Sequence, residues 1–306
     1  MSRRGMMLFL AMSVIWGIPY LLIKVAVEGV SAPLLVFARC AIGVIVLLPL
    51  AVRGEGFSVL RGHGRWIAAF AVLEIFIPWL LLSHAEKELT SSLSGLLIAS
   101  SPILSVVFAK IAGGTERLGL VRWAGLGLGF VGVAVLAAPG LTGGDALSVV
   151  EVLLTATGYA VAPIIADRKL QGVPTMPLTA VCLGSAALFY LIPAALTLPD
   201  EMPSGKVIAS ILALGLICTA LAFVVFLALI GEVGPSRALV FTYVNPAVAV
   251  TAGVLLLGEP LTAGILAAFA LILTGSVLAT RARRGGDQGS KDSGADLRPA
   301  TTGEPL

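Results

Sequence analysis

Charge is what this sequence has least of. Of its 306 residues only 12% are Asp, Glu, Lys or Arg, and 58% are hydrophobic; an ordinary soluble domain is about 25% charged. A soluble domain of this size cannot cover such a surface with water-compatible groups. That excludes a soluble enzyme, a nucleic-acid-binding protein and a disordered regulator. Histidine is nearly absent, with two copies and no clustered ligands, so neither a metal site nor another cofactor is expected. Cys40, Cys182 and Cys218 all fall in apolar runs. An odd number of buried thiols makes no disulfide framework, and they read as small packing residues. Also missing are a G-x-x-x-x-G-K-[ST] loop, H-E-x-x-H, D-D-x-x-D and G-x-S-G. The chain therefore carries no ATP-driven step of its own and no catalytic residue is expected. The net charge of +3 is too small to point to a polyanionic partner.

What is present is apolar length. Ten runs, roughly 7–27, 33–52, 66–83, 90–112, 121–138, 149–167, 177–196, 207–230, 237–257 and 261–280, are each near the length that crosses a bilayer as a helix. Lipid leaves no partner for an open strand's backbone, and the short alternating segments of a barrel are missing, so helices are expected. Arg3 and Arg4 precede the first run, which contains Pro19 and lacks a small-x-small cleavage site; it reads as a retained span rather than a signal peptide. Residues 285–306 are rich in Gly, Ser, Asp and Thr and read as a disordered cytoplasmic tail.

The chain repeats itself. Shifted by 144 residues, Pro19 falls on Pro163, Pro33 on Pro177, Pro49 on Pro193 and Pro102 on Pro246, four of the six prolines in the first 144 residues. At a proline usage of about 5%, chance would match fewer than one. Matched prolines mean matched kinks or helix starts. Gly114 falls on Gly258 and, after a one-residue slip, Glu116 falls on Glu259, Leu118 on Leu261 and Gly132 on Gly275. The expected division is 1–140 and 145–284, five spans each. Five is odd, so the second half enters from the opposite side, the inverted-topology plan common among secondary transporters. The fold expected is thus an all-α membrane protein of ten transmembrane helices in two five-helix inverted repeats around a central cavity.

Orientation follows from Lys and Arg. With the N-terminus in the cytoplasm, sixteen of the twenty are cytoplasmic; only Lys87 and Lys206 lie outside, and Lys24 and Arg39 lie within spans. Both termini are expected in the cytoplasm. Short loops and the N-terminal arginine pair suit a bacterial inner membrane.

These features resemble the EamA family of the drug/metabolite transporter superfamily. The first half carries Trp16-Gly17, Phe37-Ala38-Arg39, Ser101-Pro102-Ile103 and Gly114-Thr115-Glu116-Arg117-Leu118; the second closes with Asn245-Pro246-Ala247 and Gly258-Glu259-Pro260-Leu261. Thr115 departs from the family's G-E-x-L by one inserted residue, and Tyr159-Ala160 stands where a second Trp-Gly would be sought. The resemblance covers about residues 7–280. It implies a ten-helix bundle with a central cavity and export of amino acids, metabolites or drugs, without fixing the substrate.

Glu74 is the sharpest candidate residue. A carboxylate at the centre of a span must face a cavity or a partner. It is a candidate for exchanging a proton during transport, or else a structural group bonded to a neighbouring helix or a neutral acid buried for packing. Arg39 can grip a substrate carboxylate bidentately; the alternatives are snorkelling to the outer interface and pairing with Glu74 or Glu151. Prolines 78, 102 and 246 strip a helical partner from the carbonyls of Glu74, Ile98 and Thr242. Ser101 and Asn245 beside two of them read as symmetric cavity-lining positions, unless their side chains merely bond back within the helix. Trp16, Tyr20, Trp79, Tyr159 and Tyr243 can stack on an apolar or aromatic substrate or hold a cationic one, or they are simple core or belong to the interfacial belt as Trp66 and Trp123 do. Lys24 is expected to snorkel, Glu151 to be solvated, and His84, near Glu86 and Glu88, to be a solvated loop histidine. Glu116 and Glu259 are expected to accept from amides at the start of the helix that follows each. Gly125, Gly127, Gly129 and Gly132 form a small-residue face, for packing within the chain or for a homodimer.

The function expected is a secondary transporter exporting small metabolites, amino acids or drug-like compounds by alternating access, with protons as a coupling partner. The alternatives are a non-transporting membrane scaffold and an intramembrane enzyme, the latter without a recognisable nucleophile or metal motif.

Overall fold

The computed structural model describes residues 2–53, 57–114, 119–138 and 146–280, so the tail 285–306 and Glu116 lie outside the described residues. Among these residues every regular element is helical. We number the apolar segments in chain order: α1 Arg3–Ala26, α2 Ala32–Arg53, α3 Gly64–Ala85, α4 Ser91–Ile111, α5 Leu120–Leu136, α6 Ala146–Lys169, α7 Thr175–Ala195, α8 Gly205–Val233, α9 235–257 and α10 Ala263–Thr280. Eight of them are long and apolar enough to cross a membrane; α5 and the last part of α9, Asn245–Leu257, are shorter apolar helices. Large apolar side chains such as Ile45, Leu188, Ile192, Leu255 and Leu256 are exposed on the outer surface, as a lipid-facing surface requires.

Five segments are not plain helices, and four of the interruptions fall in register. α4 breaks after Ile98 and restarts at Ser101, with Pro102 in its new first turn. α9 runs through a 3-10 turn, Leu239–Tyr243, and restarts at Asn245 with Pro246. The two restarts are 144 residues apart. α3 and α8 each contain a wide π turn, Val72–Phe76 and Leu216–Leu221, and these also begin 144 residues apart. α1 breaks between Ile15 and Pro19, whereas α6 stays continuous through Pro163.

The packing is equally regular. The most extensive contacts pair α5 with α10, α3 with α6, α2 with α7 and α1 with α8, followed by α4 with α6, α2 with α8 and α4 with α9. The tightest of these joins α5 to α10. A side chain at Gly125, Gly129 or Gly132 would run into Ala279, Leu278, Ile103 or Ile272. The small-residue face that suggested a homodimer is therefore consumed within the chain, and only Gly127 looks into open space.

Candidate functional site

A cavity of about 1100 Å³ lies between the segments, and all nine candidate residues line it: Trp16, Tyr20, Arg39, Glu74, Trp79, Ser101, Tyr159, Tyr243 and Asn245. Most of the remaining wall is apolar, supplied by residues such as Ile23, Phe70, Leu178 and Phe226.

Glu74 stands in the π turn of α3, where the Ile77 amide donates to the Val72 carbonyl instead of the oxygen four residues back. A π turn widens the helix and turns its side chains out of register. Carbonyls near the turn are met from other segments: the Tyr190 hydroxyl donates to Phe76 (3.0 Å) and Thr155 Oγ1 to Pro78 (3.3 Å). α6 can approach because residue 158 is glycine; a Cβ there would collide with the Leu73 carbonyl. Glu74 Oε2 is buried without a hydrogen-bond partner among the described residues.

Arg39 is buried, its guanidinium lies 3.7 Å over the Trp79 ring, and its Nε donates to Thr219 Oγ1 (2.9 Å) in the π turn of α8. It neither snorkels nor pairs with a carboxylate, because the one ion pair among the described residues is His84–Glu151. Both alternatives weighed for it are thereby corrected. Desolvation by aromatic packing and a hydroxyl acceptor hold the side chain inward. Thr219 carries no distinguishing signal in the sequence; only the fold brings it to Arg39.

Trp16 packs among Phe223, Phe226 and Phe241, and its indole N–H donates to the Cys218 carbonyl in the same π turn (3.2 Å). Tyr159 lies alongside Glu74 and Trp79, and Tyr20 is buried against the closed end. Ser101 lines the cavity and also bonds back to the Ile98 carbonyl (2.6 Å), the oxygen that Pro102 frees. Asn245, oriented so that its amide nitrogen donates to Phe241 O and Ser13 O (3.1 and 3.2 Å), ties the broken α9 to α1. The Tyr243 hydroxyl pairs with that of Thr280, which places this ring near one mouth of the cavity rather than at its middle.

The two ends differ. At one, Lys110, Gly114, Arg122, Asp167, Arg168 and Thr280 line an opening. At the other, the segments are tied together. Lys24 donates to the carbonyls of Glu86 (2.7 Å) and Lys87 (3.2 Å), so it binds α1 to the α3–α4 turn instead of snorkelling. His84 and Glu151 join α3 to α6 at 2.9 Å, and Glu151 is buried, not solvated; its partner removes the need for water. Ser31 and Thr197 share a hydrogen bond of 2.6 Å. Glu259 accepts from the amides of Ser91 (2.7 Å) and Ser92 (2.9 Å) and from the Ser92 hydroxyl. It therefore caps α4, in the opposite half of the chain, not the helix that follows it. The free amides at the α4 start and their partial positive charge draw the carboxylate there, and α9 comes close enough because residue 253 is glycine. Glu259→Ala is expected to cost about 1–2 kcal/mol, read as a lower melting temperature in detergent; an unchanged melt would mean the cap carries no weight.

Comparison with known proteins bears on the whole chain. Residues 3–138 and 147–281 each match the model of the EamA-like transporter family. An uncharacterized transporter of Bacillus subtilis (strain 168), YvbV, is 28% identical over 89% of this chain and 90% of its own length. An uncharacterized inner membrane transporter of Escherichia coli (strain K12), YedA, is 25% identical over 88% of each chain. A protein of Salmonella typhimurium (strain LT2) named as a probable amino-acid metabolite efflux pump is 24% identical over 93% of this chain and 98% of its own. A solved crystal structure superposes with a TM-score of 0.63 at 24% identity, covering 90% of this chain and 96% of that one, so the fold is shared.

Proposed function

Because the chain belongs to the EamA-like transporter family, we propose that it exports small metabolites, amino acids or drug-like compounds by alternating access, exchanging them for protons at Glu74. One observation carries this reading. The cavity is open at one end and tied shut at the other, and it holds a cation and an acid, Arg39 and Glu74, that are not spent on each other. An apolar wall that carries two groups of opposite charge suits a small amphiphilic solute. Arg39 offers a guanidinium to an anionic group. The unpartnered Glu74 oxygen takes either a proton or a cationic group of the solute, and that competition makes the two exchange. The name of the Salmonella relative supports amino acids within the substrate range.

The inverted repeat is part of the proposal, with α5 and α9 also crossing the membrane. Two features support it. The π turns and the proline restarts recur at one spacing. The packing pattern survives exchange of the halves: α2–α7, α4–α9 and α5–α10 map onto themselves, and α1–α8 maps onto α6–α3. Such an arrangement can rock one half against the other around a fixed site. The bias of Lys and Arg supports cytoplasmic termini in the inner membrane, and the open end of the cavity then faces the cytoplasm.

The test is transport by purified protein in liposomes, with internal pH followed while amino acids, nucleosides and cationic drugs are added in turn. One class is expected to drive saturable, protein-dependent proton movement. If no class moves protons and none shows labelled counterflow, the transport reading fails.

A further inference from the structure

The transport reading leaves one buried acid without a task. Glu86 sits in the turn between α3 and α4 at the closed end of the cavity, wholly inaccessible to water. Neither of its oxygens has a hydrogen-bond partner among the described residues. An ionised carboxylate is not tolerated in that state; it binds a proton instead.

The groups that face it do not neutralise it. From α1, Lys24 lies near, but its ammonium hydrogens go to the main-chain oxygens of Glu86 and Lys87. From the turn after α9, Glu259 presents a like charge while capping α4. From α4, the Ser94 hydroxyl lies alongside, itself buried. From deeper in the cavity, the phenols of Tyr20 and Tyr159 feel the same carboxylate. Burial pushes the Glu86 carboxyl well above the usual carboxylate range; Lys24 pulls it back in part and Glu259 pushes it further up. His84 and Glu151, at the same end, are engaged with each other.

We infer that Glu86 is a proton-binding site, separate from Glu74, whose occupancy holds this end of the cavity shut. The inference rests on the alternating-access reading. In the closed arrangement the carboxyl is neutral. When this end opens, water reaches the group and it ionises as an ordinary carboxylate beside Lys24. The closed form therefore binds the proton more tightly. Acid on that side favours closure and alkali favours opening, by about tenfold per pH unit between the two affinities.

The test uses a single thiol probe, Ser105→Cys, which lies on the cavity wall, in a chain whose three native cysteines are replaced by alanine. Vesicles of one orientation are treated with a membrane-impermeant maleimide from one side or the other. The ratio of closed-side to open-side labelling at each pH cancels the thiol's own ionisation, and open-side labelling reports that the protein is folded. The ratio is expected to climb about tenfold per pH unit over part of the range. In Glu86→Gln it stays flat, and in Glu86→Asp it climbs again. A Glu86→Gln variant that climbs like its parent overturns the inference, as does a flat response in His84→Gln alone. Absence of closed-side labelling in every variant at every pH overturns alternating access, and this inference with it.

Discussion

Glu74→Gln is expected to yield a folded protein that exchanges labelled substrate across the membrane but no longer moves protons with it. Glutamine keeps the shape of the side chain and removes only the titration. No structural hydrogen bond depends on Oε2, which has no partner among the described residues, so the melting temperature should hold. A glutamine amide neither takes up nor releases a proton near neutral pH, so proton movement should fall to the level of empty liposomes. The measurement is internal pH in liposomes, beside counterflow of labelled substrate. Unchanged proton movement would dismiss Glu74 as the coupling group. Loss of counterflow as well, with the fold intact, would make it a substrate contact and nothing more.

The largest effect on stability is expected from Gly275→Val. A Cβ at that position would stand 2.5 Å from the Gly129 nitrogen, 2.6 Å from its Cα and 2.7 Å from the Gly125 oxygen. All three are backbone atoms, and none can swing aside as a side chain would. α5 and α10 must then separate along the most extensive contact in the molecule. Overpacking of this kind costs about 3 kcal/mol or more, and thermal melts in detergent would show it as early unfolding. Gly127→Val, on the same helix but with nothing near its Cβ, should change stability by less than about 0.5 kcal/mol. Equal melts for the two variants would refute the close approach.

Apolar length and proline placement made the helices and their breaks legible, because both act locally. Pro102 and Pro246 forced restarts where each ring removes an amide donor. The π turns were not legible. Val72–Phe76 reads as ordinary helix, and its twin in α8 has no proline nearby. Polar residues alone in apolar spans were easy to single out, and the fold gathers all nine into one cavity. Their partners were not, because Thr219, Cys218 O and the Ser91 amide meet Arg39, Trp16 and Glu259 only through tertiary contacts. The hardest were charges near segment ends. Glu86 looks like a loop residue in sequence and Glu151 like a solvated one at the outer end of its span, and the burial of both depends on which turns fold over that end.

The register of 144 residues also divides the cavity into what repeats and what does not. The wide turns and proline restarts recur in both halves. The chemistry does not recur. Glu74 answers to Cys218, Arg39 to Leu183, Trp16 to Ala160 and Trp79 to Phe223. The deep ionic groups of the cavity, Arg39 and Glu74, lie in the first half, whereas its aromatic wall comes from both halves. Under the transport reading proposed above, the charged groups of a solute meet the first half and its apolar body meets both.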